Sequence, residues 1–323
     1  MKKLIILAVL AFFLIPVFAQ NNSDLPAEIV AEYERLHPEG IEYDAAGERF
    51  LVGSLTLGTI FAIADDGTVT PFIEDEDFGA TTGIHIDTIN NRLLVASTDS
   101  LAQVVPLVPG FANLGIYDLE TGARIHLVDA SASYPGSRYF ANDVTSDPDG
   151  NAYLTDSLSP VIYKITLDGD ASVLIEDERF SSDEIGLNGI EFHPDGYLIV
   201  AVGGTSKLYK VPLDDPEMLS EIILPEPIGS DGLNWHPDGY LIAVATTFNE
   251  DGEGTREILK LRSDDDWQSA NIFARGSAIN EFSPTTAAIR DGEVYVVHAR
   301  FGDLFGAGAA EFPIVRVNFE VSG

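Results

Sequence analysis

Four stretches of the chain read alike: Glu39-Gly-Ile-Glu-Tyr-Asp-Ala-Ala-Gly47, Asn142-Asp-Val-Thr-Ser-Asp-Pro-Asp-Gly150, Asn188-Gly-Ile-Glu-Phe-His-Pro-Asp-Gly196 and Asp231-Gly-Leu-Asn-Trp-His-Pro-Asp-Gly239. In each, an oxygen-bearing side chain opens a short strand-like segment that runs into a tight turn closed by glycine. A weaker copy, Thr82-Gly-Ile-His-Ile-Asp-Thr-Ile-Asn-Asn91, falls between the first and second, and a degenerate one runs from Thr286 to Gly292. Six units of about 40 to 60 residues have the period of propeller blades.

Each copy leads into an apolar strand, as in Arg92-Leu-Leu-Val-Ala, Tyr197-Leu-Ile-Val-Ala, Tyr240-Leu-Ile-Ala-Val and Val294-Tyr-Val-Val, rich in residues that suit a pleated sheet. A third strand is legible in every unit (Ile60-Phe-Ala-Ile, Val161-Ile-Tyr-Lys-Ile, Lys207-Leu-Tyr-Lys-Val) and a fourth in most. The pattern predicts an all-β six-bladed β-propeller, with four-stranded antiparallel blades around a central channel, as a single domain over residues 37–323. The last unit runs out of chain at its third strand, expected over Ile314 to Val321. Ile29 to Leu36, in the segment 20–36, is the candidate to close the ring as the missing strand, although its glutamates also fit a short helix.

Lys2 and Lys3 precede an apolar run that is broken by Pro16 and ends in Val17-Phe18-Ala19, so residues 1–19 read as a signal peptide and the protein as exported, to the periplasm or the medium. That run is too short for a confident membrane span, and no later segment reaches the roughly 20 apolar residues a span needs. There is no cysteine, which removes disulfides, a lipoprotein anchor and thiolate metal sites. A formal charge of -34 argues against nucleic-acid or anionic-membrane partners and makes a cation the natural one. A solvated acidic surface accounts for most of the carboxylates.

In a blade the first strand lies innermost, so the positions that open the repeats share one end of the channel. They are Glu39, Thr82, Asn142, Asn188, Asp231 and about Thr286. Any one of them is ordinary turn chemistry. Taken together, two carboxylates and two amide oxygens form a hard ligand set suited to Ca²⁺ or another divalent cation. Asp143, beside Asn142, either supports that set or caps its strand. Zinc is a poor fit, since the six histidines lack ligand spacing. His193 and His236 lie in the turns at the far end, and His85 and His298 read as structural. The loops Ser97 to Leu114, Thr246 to Arg256 and Arg300 to Pro313 gather over the same mouth, two of them apolar, as a pocket or lid would.

On these motifs the chain resembles the regucalcin (senescence marker protein) and gluconolactonase family, with diisopropyl fluorophosphatase and paraoxonase as more distant propellers of similar plan. The resemblance spans essentially the whole mature chain. It implies calcium held by Glu39, Asn142, Asn188 and Asp231, and a hydrolase of lactones, esters or organophosphates in which Asp231 is base or nucleophile. No counterpart of the sugar-binding arginines of a gluconolactonase is visible, so the small-molecule substrate stays open. The alternative is a non-catalytic propeller pinned by calcium that binds a ligand or protein. A third reading, a metal-free structural repeat, gives no reason for Glu, Asn, Asn and Asp in one register.

Overall fold

A computed structural model describes residues 25–104, 107–136, 138–248, 253–306 and 308–321. The signal-peptide reading of residues 1–19 lies outside them, and no helix among the described residues is long and apolar enough to cross a membrane. Six antiparallel sheets follow one another around a channel, five built inner to outer in chain order and the last completed by a strand from the N-terminal side. Blade 1 begins with Ile41–Asp44, blade 2 with Ala80–Asp87, blade 3 with Ala141–Ser146, blade 4 with Leu187–His193, blade 5 with Ile228–His236 and blade 6 with Pro284–Arg290. The protein is a six-bladed β-propeller.

The ring closes through its N-terminus. Glu28–Glu32 pairs antiparallel with Glu311–Arg316 and becomes the outer strand of blade 6, with Ile29 opposite Ile314 and Ala31 opposite Phe312. Burial alternates along it: Ile29 and Ala31 are inside, Glu28, Val30 and Glu32 outside. This period of two is why its glutamates are compatible with a strand and a helix is not formed. Closure is reinforced by Arg290 of blade 6, which grips Asp65 of blade 1 through two hydrogen bonds of 2.5 and 2.9 Å.

The C-terminus departs from expectation. The segment from Ile314 to Val321 is not one strand: Glu311–Arg316 is the third strand of blade 6, and Phe319–Val321 crosses to blade 5 and pairs with Asn271–Ser277 as a fifth strand. The outer position of blade 6 is already taken by the N-terminal strand, so the chain end covers the next free edge instead.

Six apolar clusters fill the space between neighbouring blades and fix them around the axis. The turns far from the mouth obey the sequence. In blades 4 and 5 three residues, Pro-Asp-Gly, join strand ends His193 to Tyr197 and His236 to Tyr240. Their glycines take φ of 91° and 83°, the left-handed position a three-residue hairpin demands.

Candidate active site at the channel mouth

The inner strands share one irregularity. In blades 2 to 6 the pairing slips by one residue at the strand start, so that two residues on the inner strand face one on its neighbour: Thr82 and Gly83, Asn142 and Asp143, Asn188 and Gly189, Asp231 and Gly232, and Thr285 and Thr286. Such bulges re-aim side chains, and in blades 2 to 5 each brings the first residue of the pair to the cavity at the mouth. Glycine is the second member in most blades because the next inner strand passes too close: a Cβ at Gly232 would stand 2.9 Å from Thr286 Cα, and one at Gly40 2.8 Å from the Ile84 nitrogen.

This register places the expected residues individually. Glu39, Thr82, Asn142, Asn188 and Asp231 line one cavity of about 380 Å³ at the mouth. Thr286 does not. The position equivalent to Asp231 in blade 6 is Thr285, one residue earlier, and its Oγ1 donates to the Glu39 carbonyl at 2.7 Å, so blade 6 contributes a tie between first and last blades. Thr286 packs against Gly232. The degenerate last repeat concealed this one-residue offset. Thr82 reaches the cavity, but its hydroxyl donates to the Ala141 carbonyl at 3.0 Å.

Two cavity oxygens are buried and have no hydrogen-bond partner: Glu39 Oε2 and Asn142 Oδ1. The orientation of the Asn142 amide is fixed by its neighbour. Ser157 Oγ donates to the Leu187 carbonyl at 2.6 Å, so toward Asn142 it acts as acceptor and takes the Nδ2 hydrogen at 2.8 Å. Oδ1 is thereby left bare. Asp156 holds this corner, accepting the Phe140 amide (2.8 Å) just before the strand and the amides of Leu158 and Ser159 just after its own.

Charge in the cavity is expensive. Burial, then the negative charges of Asp231 and Asp143, hold the Glu39 carboxyl well above the ordinary carboxylate range. Asp231 is pushed up to about 7 by burial, against the downward pull of a hydrogen bond from Asn188 and the charge of Arg256. Asp143 lies within the channel wall and accepts the Val144 amide (2.9 Å) and, across to blade 4, the Ile190 amide (3.2 Å). Burial nonetheless raises it to about 7. Among the described residues no three His, Cys, Asp or Glu side chains are grouped to hold a metal, so the candidate set is two carboxylates with two amides. Unpartnered buried oxygens beside carboxylates of raised pKa fit a hard cation: it would satisfy the oxygens and favour the ionised carboxyls.

A second tier, unforeseen as a site, lies three residues on from the opening residue in blades 1 to 5: Glu42, His85, Thr145, Glu191 and Asn234. In an undistorted strand, positions i and i+3 face opposite sides; the bulge restores the phase. His85 stands 3.4 Å from Glu42 Oε1 and 3.1 Å from Ser146 Oγ, and Thr145 Oγ1 lies 3.3 Å from Glu191 Oε1. Burial alone would lower the His85 pKa, but Glu42, with Glu191 and Asp143 behind it, reverses the balance and raises it. Burial pushes Glu191 up to about 7. The repeat itself carried the signal, since the fourth residue is Glu, His and Glu in the copies opened by Glu39, Thr82 and Asn188.

The lid is apolar. Phe301, Leu304 and Phe305 from the last long loop, Leu55, Phe140 and Ile185 border the same cavity. Phe248 and Arg256, from the expected loop Thr246 to Arg256, line an adjoining cavity of about 220 Å³ with Asn188 and Asp231. His298 is structural: its ring lies 3.0 Å from the Pro313 carbonyl and accepts the Ile279 amide at 3.2 Å. His193 and His236 accept the amides of Asp195 and Asp238 within their turns, both at 3.1 Å.

The fold and this mouth define a six-bladed propeller with a lidded, oxygen-lined cavity on its axis. No family model matches the chain, and no curated protein matches it in sequence. Solved structures do match in fold. The allergen Mala s 1 of Malassezia sympodialis superposes with a TM-score of 0.74 at 19% identity, over 91% of this chain and 96% of its own. Regucalcin of Agrobacterium tumefaciens, described as calcium-binding, gives 0.59 at 16% identity over 91% and 95%. A gluconolactonase of Xanthomonas campestris gives 0.57 at 15% identity over 93% of each chain.

Proposed function

We propose that the protein is an exported, calcium-dependent hydrolase of a small lactone or ester, with Glu39, Asn142, Asn188 and Asp231 as the metal ligands and Asp231 as the general base. The observation that carries this reading is the pair of buried, unpartnered oxygens, Glu39 Oε2 and Asn142 Oδ1, set beside Asp231 on the floor of an apolar-lidded cavity. The fold shared with regucalcin and gluconolactonase supports it, and the N-terminal signal-like run supports export.

When bound, the cation supplies the electrophile that polarises a carbonyl oxygen. The remaining chemistry belongs to the chain. Asp231, which a bound cation would keep ionised, is the carboxylate placed to take a proton from water. Asn188, which donates to that carboxylate, orients it, and Ser157 keeps the Asn142 oxygen aimed into the cavity. Phe301, Leu304 and Phe305 exclude bulk water, which strengthens every charge interaction inside.

The test is calorimetry of calcium binding to wild type and to the Glu39→Gln, Asp231→Asn double variant, beside a screen of lactones and aryl esters. Binding by the wild type alone, with turnover that chelation abolishes, supports the reading. Binding without turnover of any substrate leaves a calcium-pinned binding propeller, and no binding removes the metal site.

A further inference from the structure

Beside the mouth lies a second, larger hollow of about 570 Å³, and the two are contiguous: Leu55, Ser100, Leu304 and Phe305 line both. The shared residues form a sill between the cavity floor and a groove bordered by Leu57, Phe78, Leu101 and Phe111. Several of these apolar groups face water. Leu57 is 39% exposed, Leu101 47% and Phe305 68%, well beyond the burial that such side chains favour. The exposure gathers on one patch that continues into the candidate active site, a pattern that marks a binding surface.

The groove's chemistry narrows the occupant. Arg35 and Asp99 line it with opposed charges, and Asp99 Oδ1 is engaged by the Leu101 amide at 2.9 Å. An anionic tail would gain little there and would have to approach a chain of net charge -34. A sugar could pair with Arg35, Thr56, Asp99 or Ser100, but it would still set hydroxyls against Leu57, Phe78, Leu101 and Phe111 without partners, which is costly. A neutral alkyl chain meets neither penalty.

We infer that the groove holds the alkyl chain of the enzyme's own substrate, so that the substrate class is a neutral, chain-bearing lactone or ester: head over Glu39, Asn142, Asn188 and Asp231, tail across the Leu304–Phe305 sill. This rests on the hydrolase reading for the head, while the groove itself is testable without it.

The experiment uses N-phenyl-1-naphthylamine, a neutral fluorescent probe, and γ-lactones from γ-valerolactone to γ-dodecalactone, with wild type and the Leu57→Glu, Leu101→Glu double variant. Both positions lie in the groove and outside the cavity that holds the candidate ligands. The wild type should bind the probe, γ-dodecalactone should displace it where γ-valerolactone does not, and the double variant should bind it at least about tenfold more weakly. Where lactones turn over, KM should fall about two- to fourfold per added methylene in the wild type and lose that slope in the variant, with γ-valerolactone unaffected. Probe binding and displacement without any turnover sustains the groove and removes the hydrolase. Turnover without chain-length dependence, or a probe that long lactones do not displace, overturns the groove and leaves the hydrolase. A wild type that dimerises where the variant is monomeric, with the probe unaffected, makes the surface an interface between copies and also overturns the proposal.

Discussion

At its start the strand Ile228–His236 carries Asp231, whose buried carboxyl is raised to about 7 and faces other carboxylates across a cavity. At its end it carries His236, stacked on Tyr240 at a centroid distance of 4.2 Å and 9°, with one ring nitrogen accepting the Asp238 amide and the other 3.2 Å from the Gly292 carbonyl. The contrast extends to other blades. At the turn end His193 stacks on Tyr197 in the same geometry, Lys210 covers Tyr197, and Arg92 is paired with Asp87. At the mouth, oxygens are left bare and carboxyls repel one another. The turn end pairs its charges and stacks its rings, with Tyr197 Oη and Arg290 Nε the groups it leaves bare, and it holds the fold; the mouth gathers like charges and forgoes stability, as binding sites do.

The strongest test of this contrast is Asp231→Asn. If the mouth is a site under electrostatic strain, the substitution should lower kcat/KM by about 10²–10³-fold or more and yet raise the melting temperature in chelator at pH 8, because it removes a charge that burial disfavours. Thermal unfolding and hydrolysis measured on one preparation check both. A variant that loses activity and stability together would make Asp231 a structural residue like those at the turn end.

Proton linkage gives an effect of a few degrees. Glu39, Asp231 and Glu191 have folded pKa values raised above the unfolded ones, so the folded state binds more protons across the intervening range. Their contribution is fully present below the unfolded value near 4 and is lost as pH rises through the folded values, about 7 for Asp231 and Glu191. Chelated protein should therefore melt several degrees higher at pH 5.5 than at pH 8, and calcium should add most at pH 8, by about 2.7 kcal/mol at a hundredfold excess over its Kd. A calcium gain that is flat with pH would mean that Glu39 and Asp231 are not its ligands.

The fold was legible because a propeller writes the same sentence six times, and four well-kept copies fixed the frame for the others. The ends of the chain were harder. Glu28–Glu32 differs from a helix only in the alternation of Ile29 and Ala31, and the break between Arg316 and Phe319 depends on which sheet edge is free, which is a tertiary fact. At the mouth, Glu39, Asn142, Asn188 and Asp231 stood out in register, and the structure lines one cavity with all of them. Thr285 was masked by a one-residue offset in the weakest repeat. Phe140 and Ile185 come from blade-to-blade connections that have no repeat, so nothing in the sequence aligned them with the mouth. The second tier was hidden for a physical reason: only the bulge brings i and i+3 to the same face, and a bulge is not written in hydrophobic periodicity.

A subtler variant probes the quiet end. His236→Ala removes a ring that is 2% exposed, one turn cap and one stacking partner, which should cost about 1–3 kcal/mol of stability. Calcium affinity and any hydrolysis should stay unchanged, although His236 and Asp231 share a strand. The bulge at Asp231 and Gly232 uncouples the strand start from its end, while Thr286 and Leu233 pin the segment between. If His236→Ala instead weakens calcium binding as far as it lowers the melting temperature, the inner strand moves as one rigid piece, and the two ends of the propeller are a single energetic unit.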